Sequence, residues 1–374
     1  MGHVMKYSYE GKNLVKVTEP GETAPRWRFK YDGSHRMTTM TDGRGGKTTN
    51  EYDGSGRVIS QVDAAERKTT FEYAPFHTKI INKATGAVTD EWFTSKNQPF
   101  SVTRGFGTAA ATTQTYTYDG SGRRLSTTDG GGHTTAYGYN EAGDLTSERN
   151  PLGCEAKWAY DATHDLISMT TPGGETTTID RDANGNVERI SRPGPEETIQ
   201  ATTFKYDEHG QLESVIDPLG RSWIYGYNEQ GDRVGETDPL GNTQTFGYDK
   251  DSQLISMTSP RGNVEGAEAA EFKTTIERDS IGRPLKMTNP LGFSVEYAYD
   301  ANGNIEAKTD ANGHTTKYAY NADNEQTKVE RPNGAVLKTE YDGEGSVTSQ
   351  TDANEQTTTY VRNALGQPIE VTDP

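Results

Sequence analysis

Thr134-Thr135-Ala136-Tyr137-Gly138-Tyr139-Asn140-Glu141-Ala142-Gly143-Asp144-Leu145 decides the fold. Residues at i and i+2 of a strand point to one face. Tyr137 and Tyr139 therefore share a face, with Gly138 on the other. Asn140 opens a turn, and Gly143 supplies the left-handed residue that ends it. Such a turn places Tyr139 opposite Leu145, as an aromatic–aliphatic pair.

The phrase recurs. Taking the second aromatic as anchor, copies fall at Tyr9, Tyr31, Tyr52, Tyr73, Thr94, Tyr118, Tyr139, Tyr160, Arg181, Tyr206, Tyr227, Tyr248, Arg278, Tyr299, Tyr320, Tyr341 and Arg362. These are 17 repeats, and 12 of the 16 intervals are 21 residues. All 20 tyrosines lie at an anchor or two residues before it. With six Phe and Trp, among them Trp92, 26 of 34 aromatics fill two columns, which chance does not produce. The signature is carried by Tyr118, Asp119 and Gly122; Tyr137, Tyr139 and Gly143; Tyr206, Asp207 and Gly210; Tyr227 and Gly231; Tyr299, Asp300 and Gly303. Where Gly is missing from the turn column, Asn13, His35, His77, His164 and Asn324 stand in, residue types that tolerate positive φ.

A second turn closes each repeat. It reads Asp217-Pro218-Leu219-Gly220, Asp238-Pro239-Leu240-Gly241 or Asn289-Pro290-Leu291-Gly292, suiting a type I turn. Length variation collects there, at Thr18–Pro25, Thr103–Thr113, Arg192–Ala201 and Pro260–Phe272. The fold class expected is all-β: tandem hairpins in a long antiparallel meander of about 34 strands, roughly 160 Å in contour. So long a ribbon must curl, into a spiral or a partial hollow shell. Residues 1–5 read as an appended start; residues 6–374 form one continuous array. A leucine-rich repeat lacks its Leu frame, and a propeller should show a 42-residue modulation that is absent.

Composition bounds the function. The 374 residues carry a net charge of -17, 30% hydrophobic content and a single cysteine. No apolar run approaches about 18 residues, so no membrane-spanning helix is expected. The acidic balance argues against nucleic acid. Cys154 alone excludes a disulfide framework or cysteine zinc site, and reads as a small buried or half-buried thiol.

The Tyr-Asp pair, the following Gly-Arg/Asn/Gln and the closing Asp-Pro-Leu-Gly resemble the YD repeat of the RHS-repeat family, from Tyr7 to Pro374. Members include bacterial polymorphic toxins, the C component of insecticidal toxin complexes, and teneurins. The resemblance implies a spiralling β-ribbon around a cocoon that holds a C-terminal toxic segment. That segment or neighbouring shell would be the partner, and the setting would be bacterial, exported or cell-surface, by a toxin-delivery route. No self-cleavage segment or toxin is recognisable in the chain, and no signal peptide is visible.

The chemistry weighs towards structure. Asp53, Asp119, Asp161, Asp207 and Asp300 read as turn braces. Asp182-Ala183-Asn184-Gly185-Asn186 misplaces the glycine of a calcium loop. Gly46-Lys47-Thr48 lacks the first glycine and the helix of a phosphate loop. The histidines do not cluster, His133 and His314 being closing-turn residues. No enzyme, cofactor or metal is expected. An adhesion module binding glycans is the alternative, with Trp27, Phe76, Phe106, Trp223 and Phe272 as contact residues because the repeat does not require them. Arg181, Arg278 and Arg362 replace the anchor, their stems covering the stripe. Open edges at Met5–Tyr9 and Tyr360–Pro374 invite self-association, and the aromatic face is expected to line the inside.

Overall fold

The computed structural model describes residues 4–363 and 365–374. Thirty-four strands form one antiparallel sheet, and no α-helix occurs among the described residues. Short 3-10 turns at Pro195–Glu197, Pro260–Asn263 and Ala269–Phe272 lie in closing segments that exceed the common length.

The register follows the turn chemistry. Strand Thr134–Tyr139 pairs with Leu145–Arg149, and Tyr139 lies opposite Leu145. Tyr118 likewise faces Arg124, Tyr206 faces Leu212, Tyr227 faces Arg233 and Tyr299 faces Ile305. One residue after each partner is skipped, so Thr146 bulges between Leu145 and Ser147.

Both rims use one turn. Asp119 Oδ1 accepts the backbone N–H of Ser121 and of Arg123, each at 2.9 Å. Asp217 Oδ1 accepts those of Leu219 and Arg221, also at 2.9 Å. Gly122 has φ 90° and Gly220 φ 78°, a region costly to residues with a Cβ. The closing turn is thus a type I turn plus a left-handed residue, like the first. Hydroxyl pairs clamp its base: Thr128 with Thr134 at 2.7 Å, Thr237 with Thr243 at 2.8 Å, Thr309 with Thr315 at 2.9 Å.

Three repeats depart from the expected phase. In the first, Glu10 pairs with Asn13 and Tyr9 with Leu14, so Gly11 (φ 60°) rather than Asn13 is left-handed. In the fourth, Ala74 pairs with His77 across a two-residue turn, so Phe76 (φ 55°) takes the role expected of His77. That shorter turn advances the next repeat by one. Its anchor is Phe93, opposite Pro99; Thr94 is the turn brace and Asn97 (φ 60°) the left-handed residue. Trp92 therefore falls on the face opposite the tyrosine stripe.

The wall is thin. Among the described residues Val17, Val102 and Ile276 are the buried apolar side chains, and none of the large side chains is fully buried. The stripe tyrosines from Tyr31 onward are half-buried, whereas Tyr7 and Tyr9 of the first strand are exposed. On the other face a column of small residues, Ser60, Ser214, Ser256 and Ser349, is buried. The chain forms two compact bodies, Met1–Thr113 with Ile276–Pro374, and Gln114–Thr275.

Candidate functional site

Lateral joints hold the first-turn rim together. Arg123 Nε donates to its own turn brace, Asp119 Oδ2, at 2.6 Å. Its Nη1 donates to the carbonyl of Asn140 in the next turn at 2.9 Å. Its guanidinium covers the ring of Tyr139 at 5.2 Å. Arg36 repeats the joint: 2.7 Å to Asp32, 3.1 Å to the Asp53 carbonyl, 4.8 Å over Tyr52. Backbone N–H bonds from Arg123, above all, hold the Asp119 carboxyl below its usual range.

The anchor hydroxyls add a second joint. Tyr139 donates to the carbonyl of Arg124 at 3.0 Å, and Arg124 is the residue paired with the preceding anchor, Tyr118. Tyr206, Tyr227, Tyr299 and Tyr320 reach the equivalent carbonyls of Val187, Leu212, Pro284 and Ile305 at 2.9–3.0 Å. The strand ladder explains the need. Between Arg124–Thr128 and Thr134–Tyr139 it ends at Ser126 opposite Ala136, leaving the Arg124 carbonyl to be met by a side chain. Burial raises the phenol pKa of Tyr227, Tyr299 and Tyr320, which keeps the donor protonated. Arg362 keeps the joint without a phenol: its Nε donates to the Val347 carbonyl at 3.2 Å.

The first body holds a contact that periodicity does not reveal. Closing turns of its amino-terminal stretch rest on first turns of its carboxy-terminal stretch. Arg26 donates to the carbonyl of Ala301 at 2.9 Å and to that of Asn302. Arg44 donates to the carbonyl of Asn321 and to Asn324 Oδ1 at 3.0 Å, and lies 3.5 Å from Asp300. Arg67 joins its own brace Asp63 to Asp323, to Glu325 at 3.2 Å and to the Asp342 carbonyl at 3.3 Å. Asn302 donates to Asp42 at 2.7 Å, and Asn82 to the Gly343 carbonyl at 3.1 Å. Partners lie 256 to 280 residues apart, stepping forward together along both stretches. Arginine suits the seam because one planar fork meets several carbonyls and carboxylates at once. Gly43 and Gly343 allow the approach: a Cβ on the first would strike the Ala301 carbonyl, and on the second the Ala84 side chain.

The signature residues all serve this wall. Asp119, Asp207 and Asp300 are braces; Gly122, Gly143, Gly210, Gly231 and Gly303 are left-handed; Tyr137 is half-buried on the stripe. The off-pattern aromatics do not converge. Trp27 lies under Arg26, Trp223 under Arg221, and Phe106 under Lys79. Phe76 is an exposed turn residue, and Phe272 packs beside Gly262. Cys154 is exposed rather than half-buried, because it follows a turn on the open rim. No cluster of metal-ligating side chains occurs among the described residues, and no described helix is long and apolar enough to cross a membrane. The seam arginines escaped the reading from sequence. Arg44 alone carries a mark, an Arg inside Asp42-Gly43-Arg44-Gly45 where other closing turns carry Leu, Gly, Ala or Asn.

The Teneurin YD-shell family model matches residues 70–276, over half of the chain. The chain belongs to the YD-shell family. The RHS Repeat model matches residues 7–47, 278–313, 299–336 and 341–374 of the same shell sequence. Among solved structures, TcdB2-TccC3 without its hypervariable C-terminal region superposes at TM-score 0.80 with 15% identity, over 100% of this YD-shell chain and 22% of that one. A mutant Photorhabdus luminescens Tc holotoxin pore gives 0.62 with 12% identity, over 100% of this chain and 24% of that one. A second TcdB2-TccC3 structure gives 0.64 with 12% identity, over 100% and 25%. At such identities the likeness is one of fold. This YD-shell chain spans about a quarter of the length of those structures. No curated protein matches it. Family and fold make it a structural shell segment.

Proposed function

We propose that this chain is a stretch of wall in a hollow, non-catalytic YD shell that encloses a toxic segment of its own polypeptide and helps to deliver it. The seam carries the reading. A sheet one layer thick, whose buried core among the described residues is Val17, Val102 and Ile276, lays one rim on another more than 250 residues away. That arrangement builds a surface rather than a core. The similar structures, a Tc holotoxin pore among them, supply the toxin context. In the same setting the protein is bacterial and exported, and needs no cofactor.

Solution scattering from the full chain tests the wall: the profile should fit a curved sheet bounding solvent, and a filled ellipsoid of equal mass would overturn it. Encapsulation is tested on the full gene product. Polypeptide inside the wall should resist protease, and digestion at the rate of an unfolded chain would remove the cargo reading.

An adhesion role draws on Trp92 and Phe106, 43% and 42% exposed and on the face away from the stripe. Trp92 stacks on His77 at 4.2 Å while its Nε1 donates to Asp90. A glycan array should then lose its signals with Trp92→Ala, and an array without signals would dismiss the role.

A further inference from the structure

The seam uses the third residue of the closing turn. Arg44 and Ala65 hold that place in the amino-terminal stretch of the first body and are half-buried there. Elsewhere the place belongs to Leu152, Leu219, Leu240 and Leu291, which are 88%, 78%, 87% and 79% exposed. Single exposed leucines are ordinary. Four at one position of one turn need a reason, and the turn supplies none. Its geometry comes from the Asx brace, which takes the leucine N–H in each case at 2.8–3.0 Å. Gly131 and Asn312 occupy the same place in turns braced the same way. Each leucine is therefore presented on a rigid support, with little ordering left to be lost on contact.

The complementary surface is also present. In the second body the middle of the first turns is exposed, as at Glu208, Glu229 and Asp251. Beside the leucines, Arg149 and Arg221 keep 59% and 58% of their side chains exposed. Arginine on the closing rim against carboxylates on the first-turn rim is the polarity of the existing seam, where Arg44 meets Asp300 and Arg67 meets Glu325.

We propose that the Pro-Leu-Gly turns are the seat for the first-turn rim of a second copy of this chain. The contact repeats between molecules the rim-on-rim joint made within the first body, with leucine in the place of Arg44. It is heterologous, so copies add head to tail. The proposal deepens the shell reading and rests on it.

The test is sedimentation of the full chain from low micromolar to near-millimolar concentration. The protein should associate reversibly beyond a dimer. Leu219→Glu with Leu240→Glu should weaken association by about tenfold or more, since each leucine loses its burial, with the circular dichroism and melting temperature unchanged. Glu208→Lys with Glu229→Lys should weaken it too. Tyr7→Lys with Val371→Lys, which blocks strand addition at both sheet edges, should leave it intact. A protein that stays monomeric, a leucine variant that associates like the parent, or an edge variant that alone abolishes association would overturn the proposal. Scattering at the lowest concentration reads the shell form separately, so a failed seat and a failed shell are told apart.

Discussion

The hydroxyl of Tyr139 donates to the main-chain carbonyl of Arg124, fifteen positions earlier, at 3.0 Å. The offset follows from the repeat: twenty-one residues between anchors, less the six that separate an anchor from its partner. Tyrosine rather than phenylalanine stands at the anchor because this carbonyl lies where the strand ladder has run out. Tyr320→Phe keeps the ring and removes the donor to Ile305. It should cost about 0.5–1.5 kcal/mol, more if water cannot reach the carbonyl. Urea unfolding with an unchanged slope reads the loss, and a variant as stable as the parent would mean the joint is ornamental.

Arg67 ties three elements of the first body together: its own turn, the turn at Asp323–Glu325 and the carbonyl of Asp342. Its side chain is 18% exposed. Arg67→Ala leaves the carboxylates of Asp323 and Glu325 without the cation they share. A loss of about 1–3 kcal/mol follows from charge-assisted bonds of this kind. Arg67→Lys should recover only part, because an ammonium cannot form the fork. Hydrogen exchange should quicken at residues 63–67 and 321–325 while residues 114–275 keep their protection. Uniform quickening would show that the seam is not a local joint.

Gly43 and Gly54 occupy the second place of otherwise similar turns. A methyl on Gly43 has no room beneath the Ala301 carbonyl, whereas around Gly54 nothing lies within 4 Å. Neither residue has positive φ, so backbone strain is not at issue. Gly43→Ala should open the seam at a cost of about 1–3 kcal/mol. Gly54→Ala should be neutral or slightly stabilising, since it stiffens the unfolded chain. Melting curves of the two variants decide; equal effects would place the seam elsewhere.

Local chemistry made most of the wall legible. An Asx residue, a left-handed glycine and an aromatic two residues before the anchor determine turn, register and face together, and Tyr139 stands opposite Leu145 as that chemistry requires. The phase failed where the turn shortened without warning. Pro75-Phe76 closes a hairpin in two residues, and a phenylalanine at φ 55° is not a sequence expectation. It shifted Phe93 into the anchor column and took Trp92 off the stripe. The seam was illegible for another reason. Periodicity describes neighbours along the ribbon, whereas Arg44 meets Asn321 across 277 positions of the chain. No single repeat encodes that contact.

Acid should undo both rims together. The carboxyls of Asp32, Asp53, Asp119 and Asp129 are held below their ordinary value, first of all by backbone N–H bonds from the residue four positions on. For Asp238 the first cause is the side chain of Asn242. A carboxyl whose folded pKa lies below its unfolded value, about 3.9, adds stability above that value and loses it as pH falls through the folded pKa. The melting temperature should therefore be level from about pH 5 to 7 and drop below about pH 4. His164 carries the opposite sign. Its pKa is raised by the Asp144 carboxylate, so its contribution is present in mild acid and fades as pH rises through the folded value. Asp119→Asn separates brace from charge: the amide oxygen still accepts the two N–H groups, as Asn228 does, but it does not titrate. That variant should fold at neutral pH with a modest loss from the missing Arg123 pair, and show a shallower fall in acid. A melting temperature that is the same near pH 3 as near pH 6 would show that the braces hold the rims by shape alone.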